Sequence, residues 1–268
     1  MRMTSEAGKL PRIEVLDEVA STNVWLMERG RAGAPHGSAV RARAQTAGRG
    51  RRDHRWISPE GGLYLSVLIR PRVASMQLPG LPVACALGIV DAQRGMGCSH
   101  AQLKWPNDVV VGTAKLAGIL VELGQTDDGP FAVCGVGVNV NRPEKVPDVS
   151  SALQPTSLAS CLGDDTALPT LDAMACQVRA GIMETVATWE HGLTGTGEAV
   201  APLTGIVDAY NERLAFRGER VTIHAIDGPA TGSGVLLGVD EWGRALVEDD
   251  TGYVLHLDAS QASIRPLG

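Results

Sequence analysis

Strand-like and helix-like stretches alternate up to about residue 216, and after Arg217 the chain reads as β alone. This change of period constrains the fold most. Strands interleaved with helices bury their apolar faces as a sheet backed by helices, whereas short strands with glycine turns must curl onto themselves. In the first part Arg12 to Val19 and Gly37 to Ala44 read as strands, with Ser21-Thr22 capping a helix through Arg29 that stops at Gly30. Leu63 to Ile69 is a further strand, and Pro82 to Arg94 is helical. The apolar runs Leu116 to Leu123 and Phe131 to Val140 flank a turn over 124–130. A loop over Arg142 to Pro169 precedes a Thr170-capped helix bearing Leu171, Ala175, Val178, Ile182, Val186 and Trp189. Short strands follow near 219–226, 231–239, 244–249, 253–257 and 262–266, with turns at Asp227-Gly228, Trp242-Gly243 and Thr251-Gly252. The expected fold is α+β: a mixed β-sheet backed by helices over residues 1–216, then a small SH3-like β-barrel over 217–268.

Composition sets outer bounds. At 268 residues and 44% hydrophobic the chain can bury a full core. The start, Met1 to Lys9, lacks the apolar stretch of a signal peptide, and no later run reads as long or charge-free enough to span a bilayer. A cytoplasmic protein without a membrane partner is expected. Cys85, Cys98, Cys134, Cys161 and Cys176 are widely spaced and apolar-flanked, and read as buried small hydrophobes in a reducing compartment.

One loop concentrates charge: Gln45-Thr46-Ala47-Gly48-Arg49-Gly50-Arg51-Arg52-Asp53-His54-Arg55-Trp56. Glycine lets backbone N–H groups approach a ligand, and guanidinium forks bind phosphate or carboxylate. Arginines 41, 43, 49, 51, 52 and 55 stand against Asp53, a local +5 in a chain of net charge −6. Charge focused in this way favours a small anionic ligand over bulk nucleic acid, whose partners spread positive charge over a face.

Three further constellations admit two readings each. In Lys104-Trp105-Pro106-Asn107-Asp108, the carboxylate of Asp108 could hold Mg²⁺ on a nucleotide, or the segment could be a surface turn. Lys115, opening the apolar run to Glu122, is either a solvated strand end or a fixed cation beside a reacting oxygen. In Gly135-Val136-Gly137-Val138-Asn139, paired glycines weaken a strand unless something must approach its backbone, and Asn139 offers an amide to it. A dinucleotide fingerprint, a P-loop and a Gly-x-Ser-x-Gly elbow are all missing from the sequence.

Taken in order, Ser21-Thr22-Asn23, the loop from Gln45 to Trp56, Lys104 to Asp108, Lys115 to Glu122 and Gly135 to Asn139 resemble the biotin protein ligase family, from about residue 12 to the C-terminal strands. The resemblance implies a class II synthetase-like catalytic domain that activates biotin with ATP to biotinyl-5′-AMP. The biotinyl group then passes to a lysine on the biotin carboxyl carrier domain of a carboxylase. By resemblance, Ser21, Thr22, Asn23, Gln45, Gly48, Arg49, Gly50, Arg51 and Lys115 are biotin contacts. Arg51, Arg52, Trp56, Lys104, Asn107, Asp108 and Asn139 are ATP contacts, with Asp108 on the Mg²⁺ side. Lys115, Arg49 and Arg51 are the catalytic cations, holding a carboxylate against an α-phosphate, and no protein nucleophile is required.

Two departures accompany the resemblance. Asp53-His54 stands where the family usually continues with Gly-Arg, which lowers the loop's charge. About a dozen residues precede the first strand, too few for the helix-turn-helix of some members, so a ligase-only form without DNA binding is expected. Arg265 matches a nucleotide-side position of the family, with Gln261 where an acid is expected. The related lipoate ligases are the alternative within enzymes. A nucleic-acid-binding protein, with arginines on phosphates and Trp56 stacked on a base, is the alternative outside them.

Overall fold

Leu63, Leu65, Val67 and Ile69 turn to one side of their strand and Tyr64, Ser66 and Leu68 to the other, and all seven are buried. A strand covered on both faces is central, and layers follow on either side. The computed structural model describes residues 10–141, 153–162, 166–194, 200–226 and 228–267, with the side chain of Asp53 excepted. The N-terminal segment, half of the loop over 142–169, and Asp227 of the expected Asp227-Gly228 turn lie outside the described residues.

The elements run β1 (Glu14–Val19), α1 (Thr22–Arg31), β2 (Ala39–Gln45), β3 (Leu63–Ile69), α2 (Leu81–Gly95), β4 (Ala101–Lys104), β5 (Asp108–Val111), β6 (Ala114–Thr126) and β7 (Gly129–Val138). Then follow α3 (Leu158–Leu162), α4 (Leu171–Leu193), α5 (Val207–Arg213), β8 (Arg220–Ala225), β9 (Ala230–Val239), β10 (Ala245–Glu248), β11 (Val254–Leu257) and β12 (Ala262–Pro266). Seven strands form a mixed sheet in the order β1-β2-β3-β7-β6-β5-β4, parallel only between β1 and β2. The last five form an antiparallel sheet, β11-β10-β9-β8-β12. The expected mixed sheet backed by helices and the all-β C-terminal region are both present.

The two faces of β3 separate the layers. Its odd-numbered residues join Ala132, Cys134, Val136 and Val138 of β7 and the apolar sides of α2 and α4 in one core, which continues into the small sheet through Tyr210, Val221, Leu236 and Ile264. On the opposite face, α1 packs Leu26 and Met27 against Val40, Leu68, Phe131 and Val133. Helices α2 and α4 cross at Gly88 and Gly181, where a Cβ on either would sit 2.2 or 2.4 Å from the other's carbonyl oxygen. Thr170 accepts from the amide of Ala173 at 3.2 Å, capping α4 as expected.

Several details differ from the sequence reading. The hairpin turn shrinks to Asp127-Asp128, because β6 and β7 extend to Thr126 and from Gly129, a two-residue connection that suits a tight hairpin. Strands β4 and β5 flank Trp105-Pro106, whose peptide bond is cis. Each is four residues long, too short for a periodic signal, as is α5 for a helical one. Within the described part of the expected loop, α3 forms where Leu158 and Ala159 donate to the carbonyls of Asn139 and Val140. The stretch Ser75–Gly95 is, against expectation, long and apolar enough to cross a membrane. Here that apolarity covers the large sheet and α4. Of the cysteines, Cys85, Cys98 and Cys134 are buried, but Cys161 is half-buried and Cys176 exposed.

Candidate active site

Glycine makes the floor of the site flat. Gly118 of β6 and Gly137 of β7 are cross-strand partners on the α1 face of the sheet, and Gly135 lies two residues along. A Cβ on Gly118 or Gly137 would come within 2.8 or 2.4 Å of the Trp56 ring, and one on Gly135 within 2.2 Å of Asn23 Oδ1. The bodies that approach these glycines are therefore side chains of the protein itself. Above the floor opens a cavity of about 890 Å³, walled by the start of α1, the glycine-arginine loop, the β4–β5 turn, β6, β7 and strands β8 and β12.

One wall is polar and uncharged. Ser21 holds the N-cap position of α1 (φ −155°, ψ 130°), but its side chain makes no capping hydrogen bond and lines the cavity. The amide of Thr22 donates to Gln45 Oε1 at 2.9 Å, and the Thr22 hydroxyl lies 3.1 Å from the same oxygen. Ser66 Oγ lies 2.9 Å from Thr22 Oγ1 and 2.6 Å from Asn23 Oδ1. Asn23 Nδ2 donates to Leu120 O at 3.2 Å and to Glu122 Oε2 at 2.9 Å. Two hydroxyl hydrogens, on Thr22 and Ser66, thus serve three close oxygen contacts, so this wall is rich in acceptors.

The rest of the lining is strongly cationic. Arg49, Arg51, Arg52, Arg55, Lys104, Lys115 and Arg265 line the cavity, and among the described residues Asp108 is its single carboxylate. Lys115 Nζ sits 2.7 Å from Asp108 Oδ1 and 5.3 Å from the centre of the Trp56 ring. Lys104, 3.9 Å from Asp108 Oδ2, is buried. Burial pulls its ammonium below the ordinary lysine value, Lys115 and Arg265 add to the fall, and Asp108 opposes it. Arg49 pairs with Glu122 at 3.0 Å. Arg51 donates to Asn107 Oδ1 at 3.3 Å and to the carbonyl of Ala259 at 3.0 Å, and Arg52 donates to that same carbonyl. Burial, and then Arg52, lower the Arg51 guanidinium from its usual range. Arg52 adopts a left-handed backbone (φ 54°) to make this turn, a conformation unusual outside glycine.

The structure brings most of the expected residues to this one cavity, with Gly48 and Asn139 the exceptions. Gly48 sits behind the loop, where a Cβ would meet the Trp56 carbonyl oxygen at 2.3 Å. Asn139 Nδ2 donates to the carbonyl of Lys115 at 3.2 Å, bracing the lysine's strand from beneath. The local +5 is also divided. Arg41 is buried against Asp172 at 2.6 Å and Arg43 pairs with Asp17 at 3.2 Å, both away from the cavity. Two contributors escaped the sequence reading, Ser66 and Glu122. A serine inside the apolar run Leu63 to Ile69, and an acid closing the run from Lys115, are the signals that mark them.

The family model described as the biotin/lipoate A/B protein ligase family matches residues 16–139, a range that holds every expected ligand-contact residue from Ser21 to Asn139. The biotin--[acetyl-CoA-carboxylase] ligase of Paracoccus denitrificans is 32% identical over 223 residues, covering 81% of this chain and 86% of that protein. The bifunctional ligase/repressor BirA of Bacillus spizizenii is 33% identical over 148 residues, covering 53% of this chain. The match spans 46% of that longer protein, about half its length. Among solved structures, the biotin protein ligase from Aquifex aeolicus in complex with biotin and ATP aligns with a TM-score of 0.77 and 27% identity, covering 96% of this chain and 100% of that one. By fold, by the loop and wall residues, and by a relative matched over most of its length, this chain belongs to the biotin protein ligase family.

Proposed function

We propose that this chain joins biotin to ATP, forming biotinyl-5′-AMP and releasing pyrophosphate, and then transfers the biotinyl group to a lysine of a biotin carboxyl carrier domain of a carboxylase. The observation that carries the reading is one cavity whose described lining joins an acceptor-rich neutral cluster to seven cations and a single carboxylate. A ureido ring brings N–H donors and a carbonyl, and on this reading Ser21, Thr22, Asn23 and Gln45, which line the cavity, are its polar partners. The other end of the ligand is an anion that must meet a second anion.

In the first step a carboxylate oxygen of biotin attacks the α-phosphorus of ATP, and the bond to the β-phosphate oxygen breaks. Arg49, Arg51 and Lys115 lower the repulsion as the two anions meet, and Arg52, Lys104 and Asn107 serve the phosphate side. Trp56 covers the nucleotide, and Asn139 acts indirectly, by fixing the strand of Lys115. In the second step the acceptor amine attacks the carbonyl of the mixed anhydride, AMP leaves, and the amine sheds a proton. The small sheet, read as an SH3-like barrel over 217–268, contributes Arg265 to the phosphate side. The setting is cytoplasmic.

The described residues hold no cluster of three His, Cys, Asp or Glu side chains suited to a metal, and Asp108 already faces two ammonium groups. Mg²⁺ would ride mainly on the triphosphate, with Asp108 its one protein carboxylate, and would supply further charge neutralisation there. Pyrophosphate release from ATP tests the reading. Release with biotin is expected. Release with lipoate alone would move the chain to the sister ligases, and release with neither would end the ligase reading.

A further inference from the structure

Ser66 is fully buried in the middle of an apolar strand, where alanine or valine would pack without a hydroxyl to satisfy. Its partners explain it: the hydroxyl lies between Thr22 Oγ1 and Asn23 Oδ1. The cross-strand neighbour of Ser66 is Gly135, the residue whose missing Cβ makes room for Asn23. Two positions of the central strands are therefore given over to holding one asparagine. The orientation of that amide is forced, because Nδ2 faces two acceptors, Leu120 O and Glu122 Oε2.

Glu122 continues the chain. Its Oε2 accepts from Asn23 at 2.9 Å, and its Oε1 pairs with Arg49 at 3.0 Å. Neither Ser66 nor Glu122 lines the cavity. The same chain leaves Ser66 in the other direction through Thr22 and Gln45 to Ser58, which donates to the Trp56 carbonyl at 3.0 Å. Arg49 and Trp56 are the two shoulders of the glycine-arginine loop, so both are tied to the polar wall through one hydroxyl.

We propose that Ser66 and Glu122 are positioning residues of the ligand-binding step. Acting through Asn23, they fasten the Arg49 shoulder of the loop to the polar wall, so that filling the wall and closing the loop are one event. This rests on the biotin reading above. The guanidinium of Arg49 has five N–H groups, and one edge given to Glu122 leaves the others for a ligand carboxylate. A brace shared by wall and fork lets one ligand order both, so the ordering cost of binding is met once.

The test is steady-state pyrophosphate release by the wild-type protein, Ser66→Ala, Glu122→Gln and the double variant. Each single change is expected to raise the biotin KM about tenfold, the scale of one buried hydrogen-bond partner removed. The ATP KM and kcat should stay within about twofold. Because both act through Asn23, the double variant should show little more than one single effect, a coupling that such a cycle isolates. Hydrogen exchange over residues 46–55 supplies the second readout. Protection gained by the wild type on adding biotin should be lost in both variants, and if Ser66→Ala fails to fold, Glu122→Gln decides by the same measurement. Unchanged biotin KM values, single effects that multiply in the double variant, or a fall in Tm alone would overturn the proposal. Should the wild type release pyrophosphate with biotin while the variants behave like it, only this inference falls; a wild type inert toward biotin removes the function reading as well.

Discussion

The Lys115 ammonium is held 2.7 Å from the carboxylate of Asp108, across the β5–β6 pairing that sets Asp108 opposite Gly118. A lysine on its flexible stem is thus aimed before any ligand arrives. Replacing it with alanine is expected to lower the rate of adenylate formation by about 10²–10³ with little change in Tm, since the lysine opens a strand and supports no core. Asp108→Asn keeps the shape and removes the charge that aims Lys115, so a smaller loss, of about tenfold, is expected. Single-turnover pyrophosphate release measures both, and an unimpaired Lys115→Ala protein would remove the lysine from the chemistry.

Helices α2 and α4 meet backbone to backbone at Gly88 and Gly181. A methyl at either position has nowhere to go, because the atoms it would strike are main-chain carbonyls. Gly88→Ala should destabilise the protein by about 1–3 kcal/mol, the usual cost of overpacking. Urea unfolding gives the value. A neutral result would mean that the helices slide apart freely.

Trp56 rests on Gly137, and its ring nitrogen is buried with no partner among the described residues. Gly137→Ala should lift the ring off the floor, shifting its fluorescence and raising the KM for ATP. The spectral change should vanish when Trp56→Phe is combined with it, which separates this ring from the other four tryptophans.

Burial pushes the phenol of Tyr64 up from its ordinary 10.0 to about 12, and its hydroxyl donates to the Pro59 carbonyl at 2.7 Å. The folded state therefore favours the protonated ring. Its contribution to stability is complete below the unfolded value of 10.0 and is lost as pH rises from there toward about 12. The stability gap between wild type and Tyr64→Phe should accordingly stay constant up to about pH 10 and narrow from there to about pH 12, as read from urea midpoints. A gap that widened would contradict the sign.

Periodicity carried much of the fold. Strand β3, helices α2 and α4 and the five C-terminal strands fall within a few residues of where alternating or three-and-four spacing put them, because each has a buried face long enough to leave a pattern. Strands β4 and β5 and helix α5 left none. The site was legible where its residue types are costly without a ligand: arginines beside glycines, or a lysine opening an apolar strand. Ser66 and Glu122 were invisible because their meaning depends on α1 crossing the sheet, which brings Asn23 to partners 43 and 99 residues away. Arg41 was grouped with the loop through proximity in sequence, yet strand alternation turns it to the opposite face, against Asp172.

The two loop arginines grip the small sheet at the carbonyl of Ala259, a group every amino acid possesses. The grip itself therefore makes no demand on the side chain at that position, and any limit on substitution there comes from the packing of Ala259 against the core. What the loop depends on is the path of the main chain through residue 259, which the packing of the small alanine against the core keeps in place.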